Sequence, residues 1–276
     1  MKKILLIGCG HMGNALLSSW KEAKRYQLYV VDPIKYKHIK IKYKSNFIKT
    51  FNSVLSLPNN TDYDFVVLAI RPIDLDNALN SLVKIKLKNN ISLISVIAGK
   101  KLEVFQKKLK NINNFFRVMP NMPASIGQSM NCVVHNKKIN KIKINEVKQL
   151  FSYSGKTIFF KNENQIDMAT AISGSGPGFV FNLIDAMENA ATKLGFNKDE
   201  AKILVSQTFR GSINLLINQN MSARDLVKMV ATKGGTTEAG LKVMNDSKVH
   251  TTFIKLVKAS YKKAKNQGKL NAKEQN

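Results

Sequence analysis

The stretch Lys2-Lys-Ile-Leu-Leu-Ile-Gly-Cys-Gly-His-Met-Gly-Asn-Ala15 reads as an apolar strand, a glycine-rich turn and the first turn of a helix. Each glycine has a separate role in a nucleotide-binding turn. Gly8 permits the tight bend, Gly10 lets the backbone approach a pyrophosphate, and Gly13 lets the new helix pack on its own strand. His11 and Met12 stand between the last two glycines and would border the same phosphates. A helix N-terminus favours such anions because its N–H groups lack partners and its dipole is positive there. Ordinary strand-to-helix turns also use glycines for packing. The apolar strand before the motif and the amphipathic segment after it are the context that nucleotide binding requires.

Beyond the turn, Met12, Leu16 and Trp20 recur at helical spacing and predict a helix over 12–24. Gln27–Val31 is a second strand, stopped by Asp32-Pro33. Residues 34–60 are basic and poorly patterned, with a short strand expected at Phe47–Thr50. Asp64–Ile70 and Ile91–Ile97 are continuous apolar runs, the mark of parallel strands covered on both faces. A helix is expected from Ile73 to Val83, and a further strand at Phe115–Met119. This alternation predicts a doubly wound α/β domain. Gly8, Asp32, Arg71-Pro72, Ala98-Gly99 and Pro120-Asn121 each fall just past the carboxyl end of an expected strand. Open parallel sheets bind ligands at that edge, although glycine and proline also punctuate loops for purely local reasons. Asp32 suits the ribose 2′-hydroxyl of NADH and would repel the 2′-phosphate of NADPH, whereas Lys35 and Lys37 could hold that phosphate.

Two more strands, Ser129–His135 and Lys156–Phe160, flank a helix around Ile144–Phe151 and close a first domain over 1–160. The remainder, 161–276, is helical: Ser175–Leu194, Asp199–Asn218, Ser222–Thr232, Thr237–Asn245 and Thr252–Lys265, with a polar, frayed tail from Lys265 to Asn276. The first of these helices is apolar almost all round, through Phe179, Phe181, Leu183, Ile184, Met187, Ala190 and Leu194. A small helical domain has few places to bury it, which predicts dimerisation. Ser173-Gly-Ser-Gly-Pro-Gly-Phe179 offers Ser175 as N-cap with Pro177 in the first turn. Thr232-Lys-Gly-Gly-Thr-Thr-Glu238 offers Thr236 or Thr237 as cap with Glu238 behind it. Both helix starts would make carboxylate sites, and plain capping would account for the same residues.

The bulk properties narrow the field. The chain of 276 residues carries 44 Lys and Arg against 18 Asp and Glu, a net charge of +26. The lysines are scattered and not interleaved with aromatic residues, so a solvated surface explains them better than nucleic-acid binding. The field still concentrates anionic nucleotides and substrates. No apolar run is long enough for a membrane span, and the N-terminus leads directly into a strand, so neither membrane nor export is expected. Cys9 and Cys132 have no metal-ligand spacing, and His11, His38, His135 and His250 are isolated. No metal is expected, and a reducing cytoplasm fits best.

Four stretches together resemble pyrroline-5-carboxylate reductase: Ile7–Ala15, Arg117-Val-Met-Pro-Asn-Met-Pro123, Asp167-Met-Ala-Thr-Ala-Ile-Ser-Gly-Ser-Gly-Pro177 and Thr232-Lys-Gly-Gly-Thr-Thr-Glu-Ala-Gly-Leu241. The first is common to many dehydrogenases, and the last three are specific in combination. The resemblance implies an N-terminal Rossmann domain and an all-α C-terminal dimerisation domain, in dimers that often assemble further. It implies reduction of 1-pyrroline-5-carboxylate to L-proline with NADPH or NADH, the last step of proline biosynthesis. By the same resemblance, Gly234, Gly235 and Thr236 offer amides to the substrate carboxylate, and the Thr237 hydroxyl bonds the ring nitrogen. Thr232, Lys233, Ser175 and Asn121 complete the substrate site. Asn121 and Ala98 lie by the nicotinamide, with Ser173–Gly176 as its floor. Met122, Lys233 and Arg71 depart from the threonine, proline and lysine common in the family. A pyrroline nitrogen takes its proton from solvent, so the absence of an evident buried acid is no obstacle. A hydroxyacid dehydrogenase would need a lysine or histidine relay, and Lys193 is the only basic residue on the helix from Ser175. Two alternatives remain: a related imine or hydroxyacid reductase acting on a different small carboxylate, and a non-catalytic nucleotide-binding or basic interaction protein.

Overall fold

The structure, a computed structural model, describes residues 1–59 and 61–273. In chain order the first elements are β1 (Lys2–Ile7), α1 (His11–Lys21), β2 (Tyr26–Val31), α2 (Tyr36–Lys42), β3 (Ile48–Phe51), β4 (Phe65–Leu68) and α3 (Leu75–Val83). They continue with β5 (Ser92–Ser95), α4 (Leu102–Lys108), β6 (Asn114–Met119), β7 (Ser129–His135), α5 (Lys141–Ser152), β8 (Gly155–Phe159) and α6 (Glu163–Ala169). The helical half follows as α7 (Gly176–Lys193), α8 (Lys198–Asn218), α9 (Ala223–Val230), α10 (Thr236–Asp246) and α11 (Val249–Lys273).

The strands form one sheet in the order β3-β2-β1-β4-β5-β6-β7-β8. All neighbours are parallel except β6 and β7, which pair antiparallel, Phe116 opposite His135 and Met119 opposite Cys132. The return from β6 to β7 takes only a short 3-10 turn, Met122–Ile126, ended by Gly127 at φ +72°. So short a link can reverse the chain but cannot cross over the sheet. From β3 to β6 the order is that of a doubly wound dinucleotide-binding sheet, as the strand-helix rhythm predicts.

Alternate residues of each central strand feed two cores. On one face Leu5, Ile7, Val66, Leu68 and Leu93 meet Leu75, Leu79 and Leu82 of α3 and Phe105 of α4. On the other, Ile4, Leu6, Val67, Ile94 and Phe116 meet Leu16, Leu17 and Trp20 of α1 and Val147, Leu150 and Phe151 of α5. Burial on both faces is why these strands read as unbroken apolar runs. Trp20 also donates its indole N–H to the Leu150 carbonyl at 3.0 Å, fastening α1 to α5.

Two compact units result. The first comprises Met1–Ser175 with α11 from Ser260 onward, and the second comprises Gly176–Ala259. The first unit therefore runs past 160, through α6, to Ser175. Within the second unit, α8 opens with a capping box in which Asn197 accepts from the Asp199 and Glu200 amides and Glu200 accepts from the Asn197 amide. Its apolar residues nevertheless stay largely uncovered in the single chain. Phe181, Met187, Ile203 and Ile213 are all exposed, and α7 buries no residue.

Several boundaries differ from expectation. The helix α2 lies in the stretch left unassigned, because Tyr36-Lys-His-Ile-Lys-Ile-Lys42 alternates like a strand and buries only Ile39. The C-terminal helix starts at Val249 and reaches Lys273 instead of ending near Lys265. The part of the frayed-tail expectation on 274–276 lies outside the described residues.

Candidate active site

Because β1, β2, β4, β5 and β6 run parallel, their carboxyl ends lie along one edge of the sheet. That edge carries Gly8, Asp32, Arg71-Pro72, Ala98-Gly99 and Pro120-Asn121, as expected.

At its centre the three glycines do three different things. Gly8 adopts φ +89°, and a Cβ on it would lie 2.6 Å from the Ala69 carbonyl oxygen. A Cβ on Gly13 would collide with the Gly8 carbonyl oxygen. Gly10 is different: nothing lies within 4 Å of where its Cβ would be. It is also the N-cap of α1, contributes no side-chain cap and is followed by no acidic residue in the first turn. The space above Gly10 is thus open, and the α1 N-terminus faces it with no acidic side chain in its first turn, which fits a dinucleotide pyrophosphate.

Asp32 is engaged inward. Its Oδ2 accepts from the Cys9 amide at 2.8 Å, and its Oδ1 accepts from the amides of Ile34 and Lys35 at 3.0 and 2.8 Å. The residue is buried, 9% exposed. The carboxylate ties the glycine turn to the loop after β2 through these three amides. Beside it, the Cys9 thiol is pushed up to about 11, first by burial and then by the Asp32 charge. It is an unreactive thiol.

The other edge residues are equally defined. Arg71 is exposed and grips Asp74, with Nε to Oδ2 at 2.8 Å. Gly99 bends at φ +71° beside exposed Ala98. Asn121 uses both ends of its amide: Oδ1 accepts from the Met130 amide at 2.9 Å, and Nδ2 donates to the Ser173 carbonyl at 2.9 Å. Pro120 is buried just before it.

Ser175 is not the N-cap expected of it. Its backbone is helical, φ −82° and ψ −24°, and its N–H bonds the Thr170 carbonyl at 2.8 Å, closing a π-turn over Thr170–Gly174. The glycine-rich stretch is an extra residue wound into a helical path, so no free helix N-terminus exists at Ser175. The turn lies close on β6, where a Cβ at Gly174 would come within 3.2 Å of Met119 Cε. Ser173 Oγ donates to the Ala169 carbonyl and meets Cys132 Sγ at 3.6 Å.

In the second unit the glycine-rich start of α10 behaves as expected in kind but not in cap. Gly235 is the N-cap, and Thr236 is already the first helical residue. Gly234, at φ +75°, donates its N–H to Glu238 Oε2 at 2.7 Å, and the Gly235 N–H bonds the Thr232 carbonyl at 3.0 Å. Thr237 is half-buried, whereas Thr232, Lys233 and Thr236 are exposed.

Three residues without an expected role complete the first unit's edge. Arg117 of β6, 4% exposed, reaches Asp167 of α6 with Nη2 at 2.9 Å and Glu163 of α6 with Nη1 at 3.3 Å. The sequence carries a signal for them, since Arg117 is the lone charge in the apolar strand Asn114-Phe-Phe-Arg-Val-Met119, and a charge in a buried strand needs a buried partner. Among the described residues no group of His, Cys, Asp and Glu is placed to hold a metal ion, and no helix is long and apolar enough to cross a membrane.

A dinucleotide turn at the edge of a doubly wound sheet, followed by a helical unit with uncovered apolar faces, defines a two-domain NAD(P)-dependent oxidoreductase. Residues 3–99 match a family model described as NADP oxidoreductase coenzyme F420-dependent, and residues 163–267 match one described as pyrroline-5-carboxylate reductase dimerisation. The chain is 31% identical over 273 residues to pyrroline-5-carboxylate reductase 2 of Bacillus subtilis, covering 96% of this chain and 94% of that one. Among solved structures it resembles a Plasmodium falciparum pyrroline carboxylate reductase with NADP bound, at TM-score 0.83, 26% identity and coverage of 97% and 98% of the two chains. A Coxiella burnetii pyrroline-5-carboxylate reductase superposes at TM-score 0.86 with 28% identity, covering 96% and 97%. The chain belongs to the pyrroline-5-carboxylate reductase family, NAD(P)H-dependent enzymes that form proline, and it carries the family's dimerisation segment.

Proposed function

We propose that this chain reduces 1-pyrroline-5-carboxylate to L-proline, as the last step of proline biosynthesis, with the roles of its residues divided between two domains. Residues 1–160 bind the dinucleotide through Gly8, Gly10, His11, Met12 and Gly13, with Arg71, Pro72, Ala98, Gly99 and Pro120 along the same sheet edge. When bound, the nicotinamide supplies a hydride for the C=N carbon of the protonated imine. The helical half of the chain holds the substrate and the partner copy. The amides of Gly234, Gly235 and Thr236 take the substrate carboxylate, flanked by Thr232 and Lys233, and the Thr237 hydroxyl fixes the ring nitrogen. Ser175 and Asn121 shape the nicotinamide end.

The observation that carries the substrate reading is the carboxylate of Glu238 seated on the Gly234 N–H at 2.7 Å. This helix start already binds a carboxylate, and the substrate's own would displace it. Orientation of the ring by the carboxylate and nitrogen together is what a hydride transfer needs.

The cofactor is NADPH or NADH, and the inward engagement of Asp32 favours acceptance of the 2′-phosphate, beside Lys35 and Lys37. We further propose a higher assembly of the dimers and a cytoplasmic location. The test is cofactor oxidation with 1-pyrroline-5-carboxylate in wild type and Thr237→Ala. Loss of a hydrogen bond to a charged nitrogen predicts a drop in kcat/KM of about 10- to 100-fold. Full activity in the variant would remove Thr237 from the site.

A further inference from the structure

Two charged residues belong to two of the glycine- and proline-rich stretches yet have no part in the proposed site: Arg117, three residues before Pro120, and Asp167, three residues before Thr170. The structure joins them. Arg117 Nη2 donates to Asp167 Oδ1 at 2.9 Å, and Nη1 donates to Glu163 Oε1 at 3.3 Å. The guanidinium side chain is 5% exposed, and those of Asp167 and Glu163 are 13% and 25% exposed. Glu163 Oε1 also accepts from the Leu102 amide at 3.0 Å, so the cluster reaches the start of α4, close behind the Ala98-Gly99 loop.

We propose that Arg117, acting through Asp167 and Glu163, is a positioning residue for hydride transfer: it holds the π-turn Thr170–Gly174 and the loop after β5 at a set spacing. The inference rests on the reading that Ala98, Asn121 and Ser173 border the nicotinamide. Its geometry is a two-point attachment. Strand β6 grips α6 through Arg117 and Asp167, and just past its end Asn121 Nδ2 donates to the Ser173 carbonyl at 2.9 Å. The first point precedes the π-turn and the second falls within it; the turn is closed by the Ser175 N–H on the Thr170 carbonyl and backed by Thr170 Oγ1 on the Ile166 carbonyl at 2.8 Å. A π-turn has an extra residue that an ordinary helix would squeeze out, so it persists where its surroundings hold it.

The choice of ions supports positioning over plain cohesion. Apolar side chains of similar volume would pack this interface at least as well as a desolvated ion cluster. The fork of arginine does what they cannot, directing two carboxylates at defined angles from one point. A lysine ammonium in its place would lack that planar fork.

The isosteric variants Asp167→Asn and Glu163→Gln test this in the dimeric enzyme, with Arg117→Lys as a third variant should either fold poorly. The expected result is a kcat at least about tenfold lower, since small misplacements of reacting groups are costly. Cofactor Kd should stay within about twofold of wild type, and a nicotinamide deuterated at C4 should show a larger isotope effect on kcat. Amide hydrogen exchange at 170–175 should also quicken in each variant while exchange in β1 stays unchanged. A lower Tm with unchanged kcat, isotope effect and exchange at 170–175 would reduce the cluster to a structural pin and overturn the proposal. If the wild-type enzyme fails to oxidise the cofactor with 1-pyrroline-5-carboxylate, the proposed function falls instead. The hydrogen-exchange comparison then decides the clamp, unchanged protection at 170–175 refuting it.

Discussion

Asp32 shows how a single carboxylate can be legible in place while its partners are not. Its position after β2 was clear from sequence, but its three amide partners at Cys9, Ile34 and Lys35 are settled by how the loop folds back. Charge-assisted bonds of this kind contribute about 1.5–3 kcal/mol each, so Asp32→Ala is expected to lower stability by about 2–4 kcal/mol in denaturant unfolding. Affinity for NADPH and NADH should fall together, because the glycine turn loses its anchor. A variant whose NADPH-to-NADH ratio of kcat/KM rises more than about tenfold would show that the carboxylate reaches the 2′ position. The neighbouring Cys9 supplies a pH signature. Its thiol is raised from 9.0 to about 11, so the folded chain holds the proton more tightly than the unfolded one. The resulting stability is complete below about pH 9 and is lost as pH climbs through about 11. Cys9→Ala should therefore flatten the decline in stability over that window, and a decline as steep as wild type would place its cause elsewhere.

At the scale of elements, the β1–α1 turn separates folding from binding within one motif. Gly13 is required by the fold, because a Cβ there strikes the Gly8 carbonyl, whereas Gly10 has open space above it. Gly13→Ala should lower Tm and cofactor affinity together. Gly10→Ala should leave Tm within about 2 °C of wild type and weaken dinucleotide binding in titration by about tenfold or more. Equal effects in both assays for Gly10→Ala would show that this glycine, too, serves packing. The strands of this unit were readable because continuous apolar runs have one explanation in a sheet covered on both faces. The π-turn was not, since an inserted residue looks in sequence like any glycine-rich helix start, and only the Ser175-to-Thr170 bond reveals it. Likewise α2 was hidden by an alternating pattern, with one buried residue, Ile39, to betray it.

For the whole molecule, the second unit presents apolar faces that a single chain does not cover, with Phe181 54% and Met187 45% exposed. So much uncovered apolar surface is a liability in a monomer and an asset in a dimer. The match of 163–267 to a reductase dimerisation segment accounts for it. Phe181→Glu would bury a charge in the shared core and is expected to shift the enzyme towards monomer in sedimentation, with activity falling in step as dimer is lost. A variant that stays dimeric at micromolar concentration would place Phe181 outside the contact. The proposed substrate motif at Thr232–Glu238 lies in this same unit, so activity and assembly are expected to fail together.

The strand-helix alternation of the first half, the glycine turn, the family and the need for a partner all follow from the sequence, because each depends on periodicity, spacing or the sheer amount of apolar surface. Those are local or additive properties that a linear text records. Which way Asp32 faces, that Ser175 closes a π-turn, that Glu238 occupies the Gly234 amide and that Arg117 meets Asp167 were decided only in three dimensions. Each is a directional contact that depends on the path of the intervening chain, and hydrogen-bond angles and buried charge pairing leave no periodic trace in the sequence.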